Sequence, residues 1–455
     1  MSQPLSEQAI QYVRDFAPAK VKLAVTDIDG ILRGKVISRD KFLSIVEGGF
    51  GFCDVVLGWD SGDVAYDNTE FTGWHTGYPD VNAKVDLNTF RKVPWDNDIP
   101  FFLADFRAAD GNDLPICPRG LLRKIRQQAL DAGYYPIASQ EFEWFNFEET
   151  PESLESRGYY QPQPMTQGMF GYSILRSSAR ADFFNDLFDL LGQFGVPIEG
   201  IHTETGPGVY EAAILYGDIL DAGDRAVLFK SGVKEIGQRH GVMPSFMAKW
   251  NKDLPGCSGH IHQSLWDVDK SRNLFYDAGA EHSMSQLMRS YMAGLLYCLP
   301  HVLPMYAPTI NSYKRLVEGA WAPTTPTWGM DNRTTALRAL PGGEKSTRIE
   351  TRVSGSDVNP YLALAASLAS GLYGIRHNLV LEQPYTVGNG YADKRWGTLP
   401  RNLDEATRAM QASPVAADLF GNEFVKHFCQ TREWEWRQYS KAVTDWELKR
   451  YFEII

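Results

Sequence analysis

The apolar positions of the chain fall into two regimes. From residue 21 to 107 they form short runs set off by turn residues, and 21–28, 34–38 and 101–106 predict strands. Residues 48–82, rich in Gly, Asp, Trp and Tyr, predict a long loop, a kind of segment that often carries function. Residues 110–118 (DGNDLPICP) are a turn-rich break, and the expected division is a domain of 1–112 and another of 113–455. Beyond the break, helices and strands alternate. Leu121, Leu122, Ile125 and Leu130 recur at helical spacing over 119–132, as do Phe183, Leu187, Leu190 and Leu191 over 179–194. Helices are also expected over 224–240, 283–299 and 360–377, and strands over 136–147, 259–266, 335–339 and 348–353. The end, 405–452, reads as helical and charged. The chain has no internal repeat and no low-complexity tract.

Composition narrows the classes. Of 455 residues, 44% are hydrophobic and 22% charged, which excludes wholesale disorder. Lys plus Arg number 45 and Asp plus Glu 56, a net charge of −11 that argues against nucleic acid as a partner. Residues 1–20 are polar and mixed in charge, with no apolar core of a secretory signal. The most apolar stretch, 361–375, is shorter than the roughly 20 residues a bilayer span needs, and reads as a buried helix with no membrane role. Five cysteines, none in a CxxC pair, indicate neither a disulfide framework nor a zinc ribbon, and a cytoplasmic home is expected.

Four clusters carry chemistry. In Gln140-Glu141-Phe142-Glu143-Trp144-Phe145 the two acids sit at i and i+2 of a strand, so they share a face and need a cation beside them. A solvent-facing strand edge fits the same pattern. His202-Thr203-Glu204 is followed by Gly206-Pro207-Gly208 and Glu211, and a tight turn there would set Glu204 and Glu211 side by side. Cys257, His260 and His262 invite a zinc reading, but no second Cys/His cluster completes a tetrahedral site. Arg348-Ile349-Glu350-Thr351-Arg352 pairs an acid with arginines, and Arg315, Arg333 and Arg338 precede it. Guanidinium groups grip phosphate and carboxylate, and oxygen donors with a single imidazole suit Mg²⁺ or Mn²⁺ better than zinc. A fifth motif, Asp27-Ile28-Asp29-Gly30, has the look of an aspartate-nucleophile phosphatase, yet the sequence after Gly30 reads as a β-hairpin return.

In this order along the chain the motifs resemble those of the glutamine synthetase superfamily, from about residue 21 to 379. The ExE strand matches Glu141 and Glu143, the ExxPGQxE-type loop Glu204 to Glu211, and the GxGxHxHxSL-type segment Gly256 to Leu265. NSYKRL matches Asn311 to Leu316, and the IExR and DxNPYLALAA motifs follow at Ile349 and Asp357. The resemblance implies an α+β fold: a small β-grasp-like N-terminal domain and a large catalytic α/β domain with a curved antiparallel sheet. It implies Glu143, Glu204 and Glu211 as ligands of one metal ion and Glu141, His260 and Glu350 as ligands of a second, with two or three Mg²⁺ or Mn²⁺ ions per site. His262, Ser264 and Arg338 fall at nucleotide-side positions for ATP. Arg333 and Arg338 match the arginines on the transferred phosphate, and Arg315, Arg352 and Gly256 the glutamate site. It further implies a ring homo-oligomer, a dodecamer in much of the superfamily, with each site between two subunits.

Departures from the pattern bear on the substrate. Glutamine synthetases carry a flap Glu that helps bind and deprotonate ammonium; here Trp321 stands at that position in Glu318-Gly319-Ala320-Trp321-Ala322-Pro323. An indole takes no proton but packs on alkyl chains and cations. The DGSS motif is absent, and Asp60 or Asp63 of the 58–63 segment stands in its place. Pro255, Val209 and Gly259 replace an Asn, a Gln and a Met. With Trp328 to Thr334 (WGMDNRT), the chain is similar to the γ-glutamylamine ligases of the superfamily, such as γ-glutamylputrescine and γ-glutamylpolyamine synthetases. The expected activity is ATP-dependent coupling of glutamate to an organic amine. Ammonium as acceptor, and a non-catalytic oligomer, are the alternatives.

Overall fold

Strand-forming residues of the first hundred positions build a six-stranded sheet. Its strands are β1 (Lys20–Thr26), β2 (Leu32–Ser38), β3 (Phe50–Cys53), β4 (Asp80–Val85), β5 (Arg91–Val93) and β6 (Ile99–Arg107), in the order β2-β1-β6-β4-β3 with β5 also on β6. The β1–β6 pair is parallel and the rest antiparallel. The computed structural model describes residues 5–455. β6 reads as one apolar run because both of its faces are covered. Phe102 stacks on Phe42 of the helix Arg39–Ile45, while Phe101 and Leu103 face the opposite way, into the main core with Leu121 and Phe194.

The second sheet has nine strands: β7 (Tyr135–Phe147), β8 (Ile198–Thr203), β9 (Val209–Ile214), β10 (Gly217–Asp218), β11 (Met243–Ser245), β12 (Gly259–Trp266), β13 (Trp328–Met330), β14 (Leu337–Leu340) and β15 (Arg348–Thr351). The order is β13-β14-β15-β12-β7-β9-β8, with β10 and β11 on the ends of β7, and only β13–β14 is parallel. The fold is thus mixed α and β with curled sheets, as expected. Alternation along β7 sorts its side chains. Phe142 and Trp144 point to the core, where they pack on Phe229 of the helix Ile219–Arg239 and on Phe246. Glu141 and Glu143 take the other face. The apolar 361–375 run is a buried helix, Pro360–Arg376, started by the Asn359 side chain accepting from the Tyr361 N–H with Pro360 in the first turn. No helix among the described residues is long and apolar enough to cross a membrane.

A buried charge network ties the two sheets' supports together. Arg119, 3% exposed, donates to Asp86 and Asp105 of the first sheet's region and to Asp224 of the long helix, at 2.7–2.9 Å. The Tyr361 hydroxyl also donates to Asp224, at 2.7 Å.

Several expected elements are moved. The 48–82 loop contains β3, a turn of 3₁₀ helix at Asp54–Leu57 and the start of β4, so the irregular path is only 58–79. The helix expected at 224 starts at Ile219, where the Asp218 side chain caps the Leu220 N–H. The helix expected at 283 starts at Gln286 under a Ser285 cap and runs on to Val302. The C-terminal helical region is four helices, broken at Ser413, Gly421 and 442–444. Strands β8 and β9 were not expected, because polar and turn residues interrupt their period.

Asp27 is a turn residue. Its carboxylate accepts from the N–H groups of Asp29 and Ile31 at 3.0 and 2.8 Å and from Arg33 at 2.9 Å, closing the β1–β2 hairpin. That engagement answers the phosphatase resemblance.

Candidate functional site

Strand register assembles the site. Neighbouring strands β15, β12, β7, β9 and β8 set His262 opposite Glu350, His260 opposite Glu141, Glu143 opposite Glu211, and Glu211 opposite His202. Motifs far apart in sequence thereby lie in adjacent rows of one sheet. Glu204 joins them through the tight β8–β9 turn. Gly208 there has φ +74°, and a Cβ would stand 2.6 Å from the Asn146 carbonyl, so the turn needs glycine.

Two subclusters result. In one, His202 Nε2 lies 3.4 Å from Glu204 and 3.9 Å from Glu211, and one ligand atom from each of the three falls within 4.8 Å of the others. Glu143 borders it, with Oε2 accepting from the Ser258 N–H at 2.5 Å and its hydroxyl at 2.7 Å. In the other, His260 Nδ1 lies 3.3 Å from Glu350 and His262 Nε2 lies 3.1 Å from Glu141. His260 Nε2 is buried with no hydrogen-bond partner.

The two subclusters differ in charge balance. Burial, and after it Glu141, Glu143 and Glu204, push the Glu211 carboxyl far above the usual range. Burial also raises Glu143 against its Ser258 hydrogen bonds. Burial opposes ionisation of Glu350, yet the guanidinium groups of Arg352 and Arg338 hold its carboxyl down at about 2. Burial, with Arg352 nearby, pushes His260 well down, so its imidazole is neutral and free to ligate. The first subcluster is an excess of acids facing one another, and the second is acids already matched by cations.

The arginines border the second subcluster. Arg338 donates to Glu350 at 2.8 Å and to Asp331 at 2.9 Å. Arg352 donates to Glu350 and, at 3.1 Å, to the Arg333 carbonyl. The Arg333 side chain is exposed. Arg315 is buried and donates to the carbonyls of Val353 and Arg352 at 3.0 and 3.2 Å. Its stem lies on Gly256, where a Cβ would come within 2.8 Å of Arg315 Cγ. A cavity of about 300 Å³ opens beside Glu141 and His262, lined also by Ser139, Tyr216, Ser264 and Arg348. A larger one, about 880 Å³, lies by the helix Ile219–Arg239 and holds none of these residues.

Two expected residues stand apart within one chain. Asp60 accepts from the Trp434 indole at 2.9 Å and from the N–H groups of Gly62 and Val64 at 2.9 and 3.0 Å, outside the carboxylate cluster. Trp321 is 59% exposed on its flap at φ +58°, a left-handed conformation unusual for a bulky residue. Cys257 packs with Phe145, Phe147 and Val209 in a small apolar cluster, which removes it from any zinc site.

Sequence reasoning gave no role to two residues at the centre of the site. His202 was visible as the first residue of an HxE pair. Tyr172 carries no local signal: tertiary folding alone stacks its ring on His202, centroids 4.6 Å apart and 9° from parallel, with its hydroxyl against Glu204. An array of anionic oxygens and imidazoles flanked by guanidinium groups binds cations and the phosphates those cations accompany.

Comparisons with known proteins agree with that chemistry. Residues 115–451 match the family described as "Glutamine synthetase, catalytic domain". Over 438 residues the chain is 53% identical to the type-1 glutamine synthetase 2 of Dictyostelium discoideum, covering 96% of this chain and 84% of that one. It is 36% identical to a glutamate–isopropylamine ligase of a Pseudomonas species over the whole of both chains. A gamma-glutamylethanolamide synthetase of Streptomyces coelicolor is also 36% identical, over 95% of this chain and 92% of that one. Among solved structures, a GmaS/ADP complex superposes with a TM-score of 0.85 at 27% identity, covering 98% and 99% of the two chains. The chain therefore belongs to the glutamine synthetase family, with relatives among its γ-glutamylamine ligases, and is an ATP-dependent carboxylate–amine ligase.

Proposed function

We propose that this ligase joins the γ-carboxylate of glutamate to an organic amine, giving a γ-glutamylamide. The observation that carries the acceptor is Trp321, an exposed indole at the flap position where the glutamine synthetase pattern that the motifs resemble has a carboxylate. A bare ammonium ion needs an anionic site that removes its proton. An alkylamine brings apolar surface, for which an aromatic face is the better wall.

The donor set fits two or three Mg²⁺ or Mn²⁺ ions. Glu143, Glu204 and Glu211, with His202 beside them, would hold one on the glutamate side; Glu141, His260 and Glu350 would hold another on the nucleotide side. The acid excess around Glu211 and the orphaned Nε2 of His260 are the features such ions would relieve. When bound, divalent ions supply positive charge that polarises carboxylate and phosphoryl oxygens. His262, Ser264 and Arg338 would face ATP. Arg333 and Arg338 would neutralise the phosphoryl group in transfer, and Arg315, Arg352 and Gly256 would hold the glutamate.

A carboxylate repels nucleophiles through its own charge. Transfer of the γ-phosphoryl of ATP to a γ-carboxylate oxygen gives ADP and an acyl phosphate with a good leaving group. The amine nitrogen then attacks the acyl carbon, the C–O bond to phosphate breaks, and the amine proton leaves with phosphate. Arg338, held by Asp331 and Glu350, would lower both barriers at the phosphoryl oxygens, because a positioned guanidinium needs little reorganisation as charge develops.

We propose further that 1–112 and 113–455 are separate domains of a cytoplasmic ring oligomer. In it, the Asp60 loop of one protomer would complete its neighbour's site. A second reading, glutamine synthesis from ammonium, has in its favour the name of the 53% identical relative. Phosphate release with ATP, Mg²⁺ or Mn²⁺ and glutamate separates the two readings. The panel is ammonium, ethanolamine, isopropylamine, putrescine, spermidine and aromatic amines. Strong turnover with one organic amine over ammonium is expected; preference for ammonium overturns the proposal.

A further inference from the structure

The 880 Å³ cavity by the helix Ile219–Arg239 is large enough for a small organic molecule and takes no part in the chemistry above. Lys230 and Lys234, one helical turn apart, line it. Lys230 Nζ donates to the Val358 carbonyl at 2.9 Å and lies 5.6 Å from the centroid of the Phe246 ring and 5.8 Å from that of Phe142. Lys234 Nζ lies 5.9 Å from the same Phe246 centroid. Among the described residues no carboxylate lies within 4.0 Å of either ammonium. An aromatic face attracts an ammonium but carries no net charge, so two ammoniums on one ring remain without a counter-ion. Phe142 stands between Glu141 and Glu143 on β7 and points the opposite way, so Lys230 lies across that strand from the carboxylate cluster.

Five acids line the same cavity, and three of them are already engaged. Asp29 accepts from Arg432 at 2.6 Å. Glu149 accepts from Arg157 and, at 2.8 Å, from the Gln163 N–H. Asp357 accepts from the hydroxyls of Thr309 and Ser312 at 2.7 and 2.6 Å. Glu152, which is exposed, and Glu435, half-buried on the helix Asn422–Lys441, have no cationic partner within 4.0 Å among the described residues. Burial, and after it the charge of Lys234, push the Lys230 ammonium down to about 7, and burial pushes the Glu435 carboxyl up, as expected of charges without a close counter-ion. Between the two polar ends the wall is apolar, with Ile31, Leu32, Val227, Val242, Phe246 and Met247. We propose that this cavity is a second ligand site, for an α-amino acid with an apolar side chain, its carboxylate on Lys230 and Lys234 and its ammonium on Glu435. A plain anion would satisfy the lysines and leave Glu435 unpaired, and a plain cation would do the reverse. A zwitterion pairs both ends and brings no net charge into the cavity, while its side chain covers the apolar wall.

The test is isothermal titration of the full chain with L-phenylalanine and L-leucine, and with phenylacetate and phenethylamine, which carry only the carboxylate or only the ammonium of the first. At least one amino acid is expected to bind, and L-phenylalanine about ten-fold or more tighter than either half-molecule. Lys234→Met is expected to weaken amino-acid binding about ten-fold and to leave phenethylamine unchanged. Glu435→Gln is expected to weaken it about ten-fold and to leave phenylacetate unchanged. The two substitutions lie on different helices at side chains that reach solvent, so the fold does not depend on either. No binding of either amino acid overturns the proposal. So does binding that either substitution leaves unchanged, which would place the ligand elsewhere, and so do half-molecules that bind as tightly as L-phenylalanine. The titration uses neither ATP nor glutamate, so its outcome stands apart from the function proposed above.

Discussion

Replacing Glu211 by Gln tests the carboxylate cluster where its charge imbalance is largest. One ligand atom each from His202, Glu204 and Glu211 lies within 4.8 Å of the others. Two unit charges at that separation repel by about 3.5 kcal/mol at an effective dielectric constant of about 20. Glu141 and Glu143 press on Glu211 in the same sense. That pressure keeps Glu211 protonated while no cation is bound, and the amide keeps the neutral shape but cannot ionise when a cation arrives. The metal-free variant is therefore expected to be at least as stable as the wild type, while a divalent ion loses one of its anionic ligands. A cation that binds only the folded chain stabilises it by about 2.7 kcal/mol at about 100 times its Kd. Thermal unfolding in EDTA and then in excess Mg²⁺ or Mn²⁺ reads both effects. The wild-type midpoint rises with cation, the variant's does not, and ATP-dependent phosphate release by the variant falls about a hundred-fold or more. Equal cation-induced shifts in the two proteins, or a metal-free variant destabilised by about 2 kcal/mol, would refute the reasoning.

Trp321→Glu is expected to lower kcat/KM for the preferred organic amine about ten-fold and raise it for ammonium, read in the phosphate-release panel; unchanged ratios would move the acceptor site away from the flap. Arg119→Met leaves the buried Asp224 without a guanidinium partner and Asp105 with only those of Arg123 and Arg107, and is expected to cost about 3–5 kcal/mol in urea unfolding. A loss below about 1 kcal/mol would show that other groups hold those acids. His427 is 2% exposed, and burial pushes its imidazole down to about 4. Its folded value lies below the unfolded value of about 6.5, so the unfolded chain binds the extra proton in that window. The stability this residue contributes is complete above pH 6.5 or so and declines by about 3 kcal/mol as pH falls toward 4. His427→Gln is expected to flatten that decline in denaturant titrations at pH 7, 5.5 and 4.5; parallel curves for the two proteins would remove His427 from the account.

What could be read along the chain was whatever a local period encodes. The i, i+2 spacing of Glu141 and Glu143 places both acids on one face and Phe142 and Trp144 on the other, wherever the strand pairs, and the core beneath β7 follows. Gly206-Pro207-Gly208 specifies a turn from backbone sterics alone, and Asn359-Pro360 specifies a helix start. Local signals erred where a tertiary partner sets the boundary: Asp218 capping a helix five residues earlier than expected, or β3 forming inside an apparent loop because β4 offers it an edge. The order of strands is not a local property, since interstrand hydrogen bonds join residues more than a hundred positions apart. Only the folded sheet decides that His260 meets Glu141, that Glu143 meets Glu211, and that His202 and Tyr172 sit at the centre of the acids. It also decides that Asp27 closes a hairpin and that Asp60 rests on Trp434, because burial and partners belong to the packed chain and not to the residue.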